Sequence, residues 1–378
     1  MLEAASRHRS FPGLEQMVYL NTAAEGLPPP EVGRALEQYY QDKLLGMDGR
    51  DRHFAVWQRA KALTGRMYGL SPDEVTICSC SSEAYNLAAA ALQLQPGDEV
   101  VINELDFPAG ATPWLQPACP ASVRIWPARA GALELEDLES LVNARTRLVT
   151  VSLVSFFNGF KIDLPRVVEI VRRRSQALIA VDVTQALGRI ELDLSGVDLV
   201  VSSTHKWILA SHGGGLVGVP SSRAREWTVP AGGWFNLEDA FGPDRFQRAV
   251  SRPGAAGFTV GMPNFPAVYA IEAALGFIDS IGVKAIEAAA NSLVAACLAG
   301  LQELPVELLS PRDPARLAGI LAFRHPAAEQ IAQQLRARQI HVMHHAGRLR
   351  VALHGYNTLR DVETFLSVLR GAVHVRTA

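Results

Sequence analysis

The sequence has 378 residues, of which 48% are hydrophobic and 20% are charged, and its 36 lysines and arginines nearly balance 38 aspartates and glutamates. This size and composition predict a compact protein with room for more than one domain. The near-neutral charge argues against a nucleic-acid-binding protein, which needs a basic face. No apolar run is expected to cross a bilayer, so we predict no membrane partner.

The start of the chain and its cysteines predict a cytoplasmic protein. Segment 1–16 lacks the apolar core of a signal peptide. The cysteines do not have the spacing of metal ligands, and free thiols in a reducing compartment are the simplest interpretation. We therefore expect no bound metal. The cysteines in question are Cys78, Cys80, Cys119 and Cys297.

Short apolar segments alternate with helical patterns through the middle of the chain. They predict strands at 99–103, 123–127, 147–154, 177–183, 198–203 and 215–219. Because these segments are apolar throughout, the sheet should be covered on both faces. The strand–helix–strand rhythm predicts a mostly parallel α/β sheet. From residue 261 the chain is helix-rich. We therefore predict a large domain at 18–260 and a smaller α+β domain at 261–378, on which 1–17 packs.

A carboxylate and a lysine follow two of the predicted strands. Asp182 ends one strand, and Lys206 comes 24 residues later, which is about one crossover between neighbouring parallel strands. Ligands of open α/β sheets bind beyond the carboxyl ends of the strands. Pyridoxal phosphate requires a lysine for its carbonyl and an acid for its ring nitrogen. We therefore predict this cofactor, with Gln185 hydrogen-bonded to its ring hydroxyl.

The phosphate of such a cofactor also needs a binding site. Ser81 and Ser82 stand where a helix is expected to begin, and free N–H groups at a helix start favour a dianion. Ser203 and His205 would complete this site from the other side. Helix capping by the two serines, and packing of His205 beside the sheet, are the ordinary alternatives. Burial near a cation should lower the pKa of Lys206 and leave its amine nucleophilic.

Eight segments, in order, resemble the class V aminotransferase family. This is the fold-type-I pyridoxal-phosphate group that includes cysteine desulfurases, kynureninases and isopenicillin-N-epimerase-like proteins. The segments are YLNTAAEGLPPP, SSEAYNLAAAAL, DFPAGATPW, VSFFNGFKIDL, VDVTQALG, SSTHKW, VGMPNF and GRLRVALHGYNT. The resemblance implies a fold-type-I transferase, with a mostly parallel central sheet, helices on both faces and a smaller α+β C-terminal domain.

The resemblance also implies roles for individual residues. As catalytic residues, Lys206 would form the internal aldimine and Asp182 would bind the ring nitrogen. Substrate contacts would come from Asn21, Ala23 and Arg350, of which Arg350 would hold the α-carboxylate. The family also implies a homodimer, with the GMPN segment at 261–264 near the partner's phosphate. The further cofactor-binding residues would be Ser81, Ser82, Phe107, Gln185, Ser203 and His205.

Three features depart from the relatives' patterns. Phe107 and the proline after it replace a His-His pair of the desulfurases, and the segment IHVMHHAGRLR before Arg350 contains no cysteine. In GFTVGMPN, Gly257 and Thr259 replace an arginine and a glutamate, and Met262 replaces a hydroxyl residue. From the missing cysteine we expect that the protein is not a persulfide-type cysteine desulfurase.

The simplest reaction is then transamination of an amino acid or other small amine, with Lys206 moving the proton. The same residues suit a racemase or epimerase, or a β-lyase that cleaves a C–S bond, and the sequence does not choose among them. A non-catalytic binding protein of the same fold is a further alternative, favoured by the altered GFTVGMPN. A nicotinamide-dependent oxidoreductase would rest only on GGGLVG at 213–218, which leads into a strand and not into a helix.

Overall fold

The computed structural model describes residue 7 and residues 9–373. In the first part of the chain the strands are β1 (Val18–Tyr19), β2 (Val75–Cys78), β3 (Glu99–Asn103), β4 (Ser122–Trp126), β5 (Ala128–Arg129), β6 (Ala132–Leu133), β7 (Thr146–Ser152), β8 (Leu178–Asp182), β9 (Leu199–Ser203) and β10 (Gly215–Gly218). Later strands are β11 (Glu307–Leu308), β12 (Ile320–Arg324), β13 (Ile340–His341), β14 (Met343–His345) and β15 (Arg348–Ala352).

Helices separate most of these strands. They are α1 (Pro30–Leu44), α2 (Arg50–Tyr68), α3 (Ser81–Leu92), α4 (Pro108–Ala111), α5 (Leu135–Leu141), α6 (Leu164–Arg174), α7 (Phe265–Ile281), α8 (Val283–Gln302), α9 (Ala328–Ala337) and α10 (Leu359–Val373). Local signals in the sequence set several of the ends. Asp163, for example, caps α6 by accepting from the backbone N–H of Arg166.

The large sheet has seven strands in the order β2-β10-β9-β8-β7-β3-β4. Only β10 is antiparallel to its neighbours, and the other adjacent pairs are parallel. Successive residues of β8 enter different hydrophobic clusters: Ile179 and Val181 join one, while Leu178 and Ala180 join the other. Because side chains alternate across a strand, the sheet is covered on both faces. The predicted α/β class with a mostly parallel sheet is confirmed.

A second sheet lies in the C-terminal part of the chain, in the order β11-β12-β15-β14, and all its pairs are antiparallel. Side chains of this sheet and of α8, α9 and α10 form a separate core. Near the N-terminus, Arg7 donates to Asp361 over 3.0 Å. The division predicted at residue 260 stays a prediction, and α7, which follows it, packs in a core of the large sheet.

Helix α8 corrects one expectation from the sequence. It has 20 residues, and a stretch of 18 of them has a mean hydropathy of 1.3. By length and composition it could cross a membrane, although no apolar run of this length was expected. In the structure, Leu293, Val294 and Leu298 lie in the core of the smaller sheet. An amphipathic core helix rich in alanine gives a high mean hydropathy for this reason.

Gly159 lies where the large sheet meets the smaller one. Its φ of +80° is left-handed, and a Cβ placed there would lie 2.1 Å from the carbonyl oxygen of Ile320. Its own carbonyl accepts from the N–H of Ala318 over 3.2 Å. No other residue type fits without moving β12, so glycine is required at this junction.

We expect Gly159→Ala to destabilise the protein by about 2 kcal/mol or more. Alanine is strained in the left-handed conformation, and its Cβ would also clash with the carbonyl oxygen of Ile320. A lower apparent melting temperature in calorimetry would show this. The matched control is Gly276→Ala inside α7, where an added Cβ has nothing within 4 Å. That change should stabilise the protein by about 0.5–1 kcal/mol. Equal melting temperatures for the two variants would contradict the assignment.

Candidate active site

Polar side chains meet at the edge of the large sheet where three parallel strands end. Ser152 ends β7, Asp182 ends β8 and Ser203 ends β9. Ser152 and Asp182 are register partners on neighbouring strands. Lys206 follows β9 closely and contacts the same space. The side chains predicted from two separate segments are therefore brought together at one sheet edge.

Lys206 is half-buried, and its surroundings shift the pKa of its amine. Burial lowers the pKa of Lys206 to about 8, and the positive charge of Arg350 acts in the same direction. The carboxylates of Asp182 and Glu25 oppose this shift. The ammonium nitrogen lies 5.1 Å from the ring centroid of Phe107. An amine with such a pKa is partly neutral near physiological pH and can act as a nucleophile.

Asp182 is 7% exposed, and its Oδ1 accepts from the backbone N–H of Thr184 over 2.7 Å. Burial raises the pKa of Asp182, while the Thr184 hydrogen bond and the charge of Lys206 act against the rise. Beside it lies a small, partly open cavity. The cavity is lined by Ser81, Phe107, Ser152, Phe156, Asp182, Thr184, Gln185, Ser203 and Lys206.

Hydroxyl groups occupy the end of this cavity next to α3. The Oγ atoms of Ser81 and Ser203 lie 2.9 Å apart, and Ser81 is the first residue of α3. The first N–H groups of a helix have no intrahelical acceptor, so this end is suited to an anion. Ser203 is held in place because its N–H donates to Thr184 Oγ1 over 2.9 Å. Ser82 is exposed and does not line the cavity.

His205 also lies outside the cavity lining. Its ring stacks on that of His212, with centroids 4.3 Å apart, and its carbonyl accepts from the N–H of Gly26 over 2.8 Å. Burial lowers the pKa of His205 to about 4, and the charge of Lys206 contributes. The ring is therefore neutral at physiological pH. Its predicted contact with a phosphate stays a prediction.

The N-terminal segment that contains Asn21 and Ala23, here named the entry segment, packs between Gln185 and the smaller sheet. Gln185 Nε2 donates to the carbonyl of Ala23 over 3.1 Å, and Trp207 Nε1 donates to Gln185 Oε1 over 2.5 Å. One N–H of the Gln185 amide stays available for a further acceptor. Asn21 forms a β-bridge with Ala352, and its Oδ1 is buried without a partner among the described residues.

Arg350 is buried behind an aromatic wall. Its Nη1 donates to the carbonyl of Phe156 over 2.8 Å, while its Nε is buried and has no partner among the described residues. The rings of Phe156 and Phe107 meet edge to face, with centroids 5.0 Å apart. Burial lowers the pKa of Arg350 to about 10, helped by the charge of Arg348. A buried cation without a counter-charge indicates a site for an anion.

Sequence reasoning missed four residues around the cavity, namely Ser152, Phe156, Thr184 and Asp106. The first three line it. Asp106 Oδ1 accepts from the N–H of Ser152 over 2.7 Å, its Oδ2 is buried without a partner in the described chain, and burial raises the pKa of Asp106 to about 7. Their positions at strand ends were a usable signal, since this edge binds ligands in open α/β sheets.

These residues fit pyridoxal phosphate. A buried carboxylate and an amine of lowered pKa share one cavity, and hydroxyls at a helix start lie at its end. The unpaired N–H of Arg350 adds a place for a substrate carboxylate. This donor set corresponds to the parts of the cofactor and of an amino acid.

Comparisons with known proteins agree. Residues 18–365 match the sequence model of the family described as Aminotransferase class-V. The uncharacterized aminotransferase YcbU of Bacillus subtilis is 28% identical over 354 residues, 93% of each chain. A probable cysteine desulfurase of Pyrococcus abyssi is 24% identical, covering 97% of this chain and 96% of the relative.

Solved structures of similar fold cover the same length. A cysteine desulfurase of Thermococcus onnurineus superimposes with a TM-score of 0.89 at 23% identity, over 99% of this chain and 98% of that one. A mutant of C-DES with glycine covalently linked to its PLP cofactor has a TM-score of 0.87 at 20% identity, over 96% and 98% of the two chains. The chain therefore belongs to the Aminotransferase class-V family, and it is a pyridoxal-phosphate enzyme of fold type I.

The comparisons overturn one functional expectation. We expected an aminotransferase or a related enzyme and excluded a persulfide-type cysteine desulfurase, but proteins named as cysteine desulfurases align with nearly the whole chain. The exclusion was wrong because it rested on one loop. That loop is the tight turn at Ala346 and Gly347 between β14 and β15, which indeed holds no cysteine. A local feature of this kind does not define the reaction of the whole framework.

Replacing Lys206 with alanine should abolish the absorbance band that bound pyridoxal phosphate gives as a Schiff base. No other lysine lines the cavity. Spectra of the purified protein titrated with the cofactor would measure this, and Lys284→Ala, on the exposed face of α8, is the matched control. A band that persists in Lys206→Ala would show that another amine holds the cofactor.

The rate at which cofactor-free protein captures pyridoxal phosphate should rise with pH and level off above about 8, where the Lys206 amine is neutral. Asp182→Asn removes a negative charge that favours the ammonium form, so the midpoint should move to lower pH. Stopped-flow absorbance at a series of pH values measures it. The exposed change Asp279→Asn should leave the midpoint in place, and an equal midpoint in Asp182→Asn would refute the coupling.

Proposed function

We propose that this protein removes sulfur from a cysteine-type amino acid with the help of pyridoxal phosphate. The observation that carries the proposal is the cavity that Lys206 and Asp182 share, with Arg350 bonded to the carbonyl of its lining residue Phe156 and its Nε left without a partner among the described residues. These are an amine, an acid and a cation suited to an amino acid. The sulfur chemistry is supported by the relatives that are named cysteine desulfurases.

Bound pyridoxal phosphate supplies a carbonyl carbon that reacts with amines and a ring that withdraws electrons from the substrate Cα. Lys206 is assigned the transfer of the Cα proton, because an amine with a pKa of about 8 both accepts and releases protons near neutral pH. Asp182 would hold the ring nitrogen in its protonated form. Its burial keeps water from competing for that interaction.

Binding roles follow from position. Arg350 would take the α-carboxylate, and Asn21, which pairs with Ala352 of the same strand, and Ala23 would also contact the substrate. The start of α3 favours the phosphate there, and Gln185 keeps one N–H for the ring oxygen. The proposed phosphate contacts are Ser81, Ser82, Ser203 and His205. Ser82 would contribute through its backbone, because its side chain is exposed.

An aromatic side chain occupies the place where the desulfurases carry a histidine. Phe107, which stands at this place, meets Phe156 edge to face, and neither ring can donate a proton. Lys206 would then transfer the proton without help from an imidazole at this position. The aromatic wall also excludes water, which strengthens the electrostatic contacts inside the cavity.

The sulfur acceptor is proposed to be an external thiol. Burial raises the pKa of Cys78 and of Cys297 to about 12, so neither is a ready nucleophile. Cysteine and a thiol RSH would give alanine and the persulfide RSSH, which balances atoms and electrons. The four cysteines are free, which supports the proposed reducing, cytoplasmic location.

A homodimer is also proposed. Phe241 and Phe246 are 75% and 89% exposed, and Met262 of the GMPN segment is 43% exposed. Large apolar side chains left in water favour an interface. Thr259, in contrast, is buried and its Oγ1 lies 2.6 Å from Thr76 Oγ1, so this position serves its own subunit.

The proposal is tested by incubating the cofactor-loaded protein with L-cysteine and dithiothreitol. We expect alanine and sulfide in equal amounts, because the thiol releases sulfide from the persulfide. Lys206→Ala should form neither product. Amino-acid analysis and a sulfide assay measure both. Pyruvate with ammonia would indicate a lyase, and conversion of the cofactor to its amine form would indicate transamination; either result in place of alanine contradicts the proposal.

A further inference from the structure

One face of the smaller sheet carries a row of basic side chains. In the register of β12, β14 and β15, Arg348 is paired with Arg324 on one side and with His345 on the other. Arg350 lies two residues further along β15, on the same face as Arg348. We name Arg324, His345, Arg348 and Arg350 the basic face.

Two members of the basic face are buried without a counter-charge. Arg348 is 6% exposed and Arg350 is 4% exposed. Neither forms an ion pair with a carboxylate within residue 7 and residues 9–373. The Nη1 of Arg348 donates to the carbonyl of Phe157 over 2.7 Å, and its guanidinium carbon lies 4.1 Å from the centroid of that ring. Burial lowers the pKa of Arg348 to about 10, and Arg324 adds to the effect.

The other two buried arginines of the described residues are Arg7 and Arg189, and both join separate segments of the fold. Arg7 is neutralised by Asp361 over 3.0 Å. Arg189 donates to the carbonyl of Leu353 and to Asn291 Oδ1, both over 3.0 Å, and so ties separate segments together, although its Nη1 is buried without a partner among the described residues. Arg348 and Arg350 instead stand side by side, where like charges repel. Such a pair is stabilised when anionic groups are bound.

The basic face continues the proposed active site. Phe156 lines the cavity that contains Lys206, and its carbonyl accepts from Arg350. The ring of Phe156 contacts Phe107, and the guanidinium carbon of Arg348 lies 5.8 Å from the centroid of the Phe156 ring. Arg348 thus lies next to a side chain that lines the cavity.

We propose that Arg348 binds a second anionic group at the end of the substrate side chain. The inference rests on the proposed function in one respect, namely that Arg350 takes the α-carboxylate. Two residues of a strand span about 6.6 Å, a separation that suits the two ends of a dicarboxylic amino acid. The substrate class is therefore an amino acid, such as a cysteine derivative, whose side chain ends in a carboxylate or a comparable oxyanion.

Dead-end ligands test this without any bond cleavage. The probes are glutarate, which has two carboxylates, and valerate, which has the same number of carbons and one carboxylate. Titration calorimetry of the cofactor-loaded protein should show glutarate binding about 10- to 100-fold more tightly than valerate, the effect of one charge-assisted contact. In Arg348→Gln this preference should disappear, while valerate binds as before. Retained valerate binding also shows that the variant is folded.

Two further variants sharpen the result. Arg348→Lys keeps the positive charge but loses the planar guanidinium group, which can bind both oxygens of a carboxylate. Its preference for glutarate should therefore lie between those of the wild type and Arg348→Gln. Arg324→Gln removes an exposed charge of the basic face and should change the preference by less than about threefold. An equal affinity of the wild type for both probes, or an unchanged preference in Arg348→Gln, would overturn the inference. Failure of the cysteine assay alone would affect only the proposed function, since the probes are not turned over.

Discussion

The opposition between Asp182 and Lys206 at a water-poor sheet edge is the constraint on which the rest of the site depends. Burial raises the pKa of the carboxyl and lowers that of the amine, while each charge pulls the other back toward its ordinary value. Small changes in the surroundings of Asp182 and Lys206 therefore alter the protonation of both groups. Such perturbed pairs in a cleft are typical of catalytic sites.

The fold holds this pair in place through contacts that have no chemistry of their own. Thr184 bonds Asp182 through its N–H and Ser203 through its hydroxyl, so β8 and β9 are joined at their ends. Gly26 passes so close to Lys206 that a Cβ there would lie 2.0 Å from the lysine carbonyl. Backbone contact of this closeness requires glycine, and it fixes the entry segment against the cavity.

The smaller sheet contributes what the large one lacks. The cavity edge supplies an acid and an amine, whereas the cations come from β15, whose Arg348 and Arg350 donate to the carbonyls of Phe157 and Phe156. The loop that contains Phe156 and Phe157 leads to Gly159, whose backbone packs against Ile320 at the start of β12. In the proposed function, the smaller sheet would therefore bind the anionic groups of the substrate, and the reaction would take place at the edge of the large sheet.

The sequence by itself determined the α/β class, the parallel strands and the meeting of Asp182 with Lys206. Strand periodicity and the rule that ligands lie beyond carboxyl strand ends are local properties that can be read along the chain. Asp182 and Lys206 also predicted pyridoxal phosphate, and the family resemblance added the roles of further residues. It also misled, because a missing cysteine in the turn before Arg348 was taken to exclude desulfurases.

Only the tertiary structure decided which predicted residues line the cavity. Ser81 and Ser203 meet there, while Ser82 is exposed and His205 stacks on His212. It likewise decided that Arg348 has no carboxylate partner among the described residues. Side-chain direction and the balance of buried charge depend on segments far apart in the chain. Local patterns carry no information about such pairings, which arise only when the two sheets pack together.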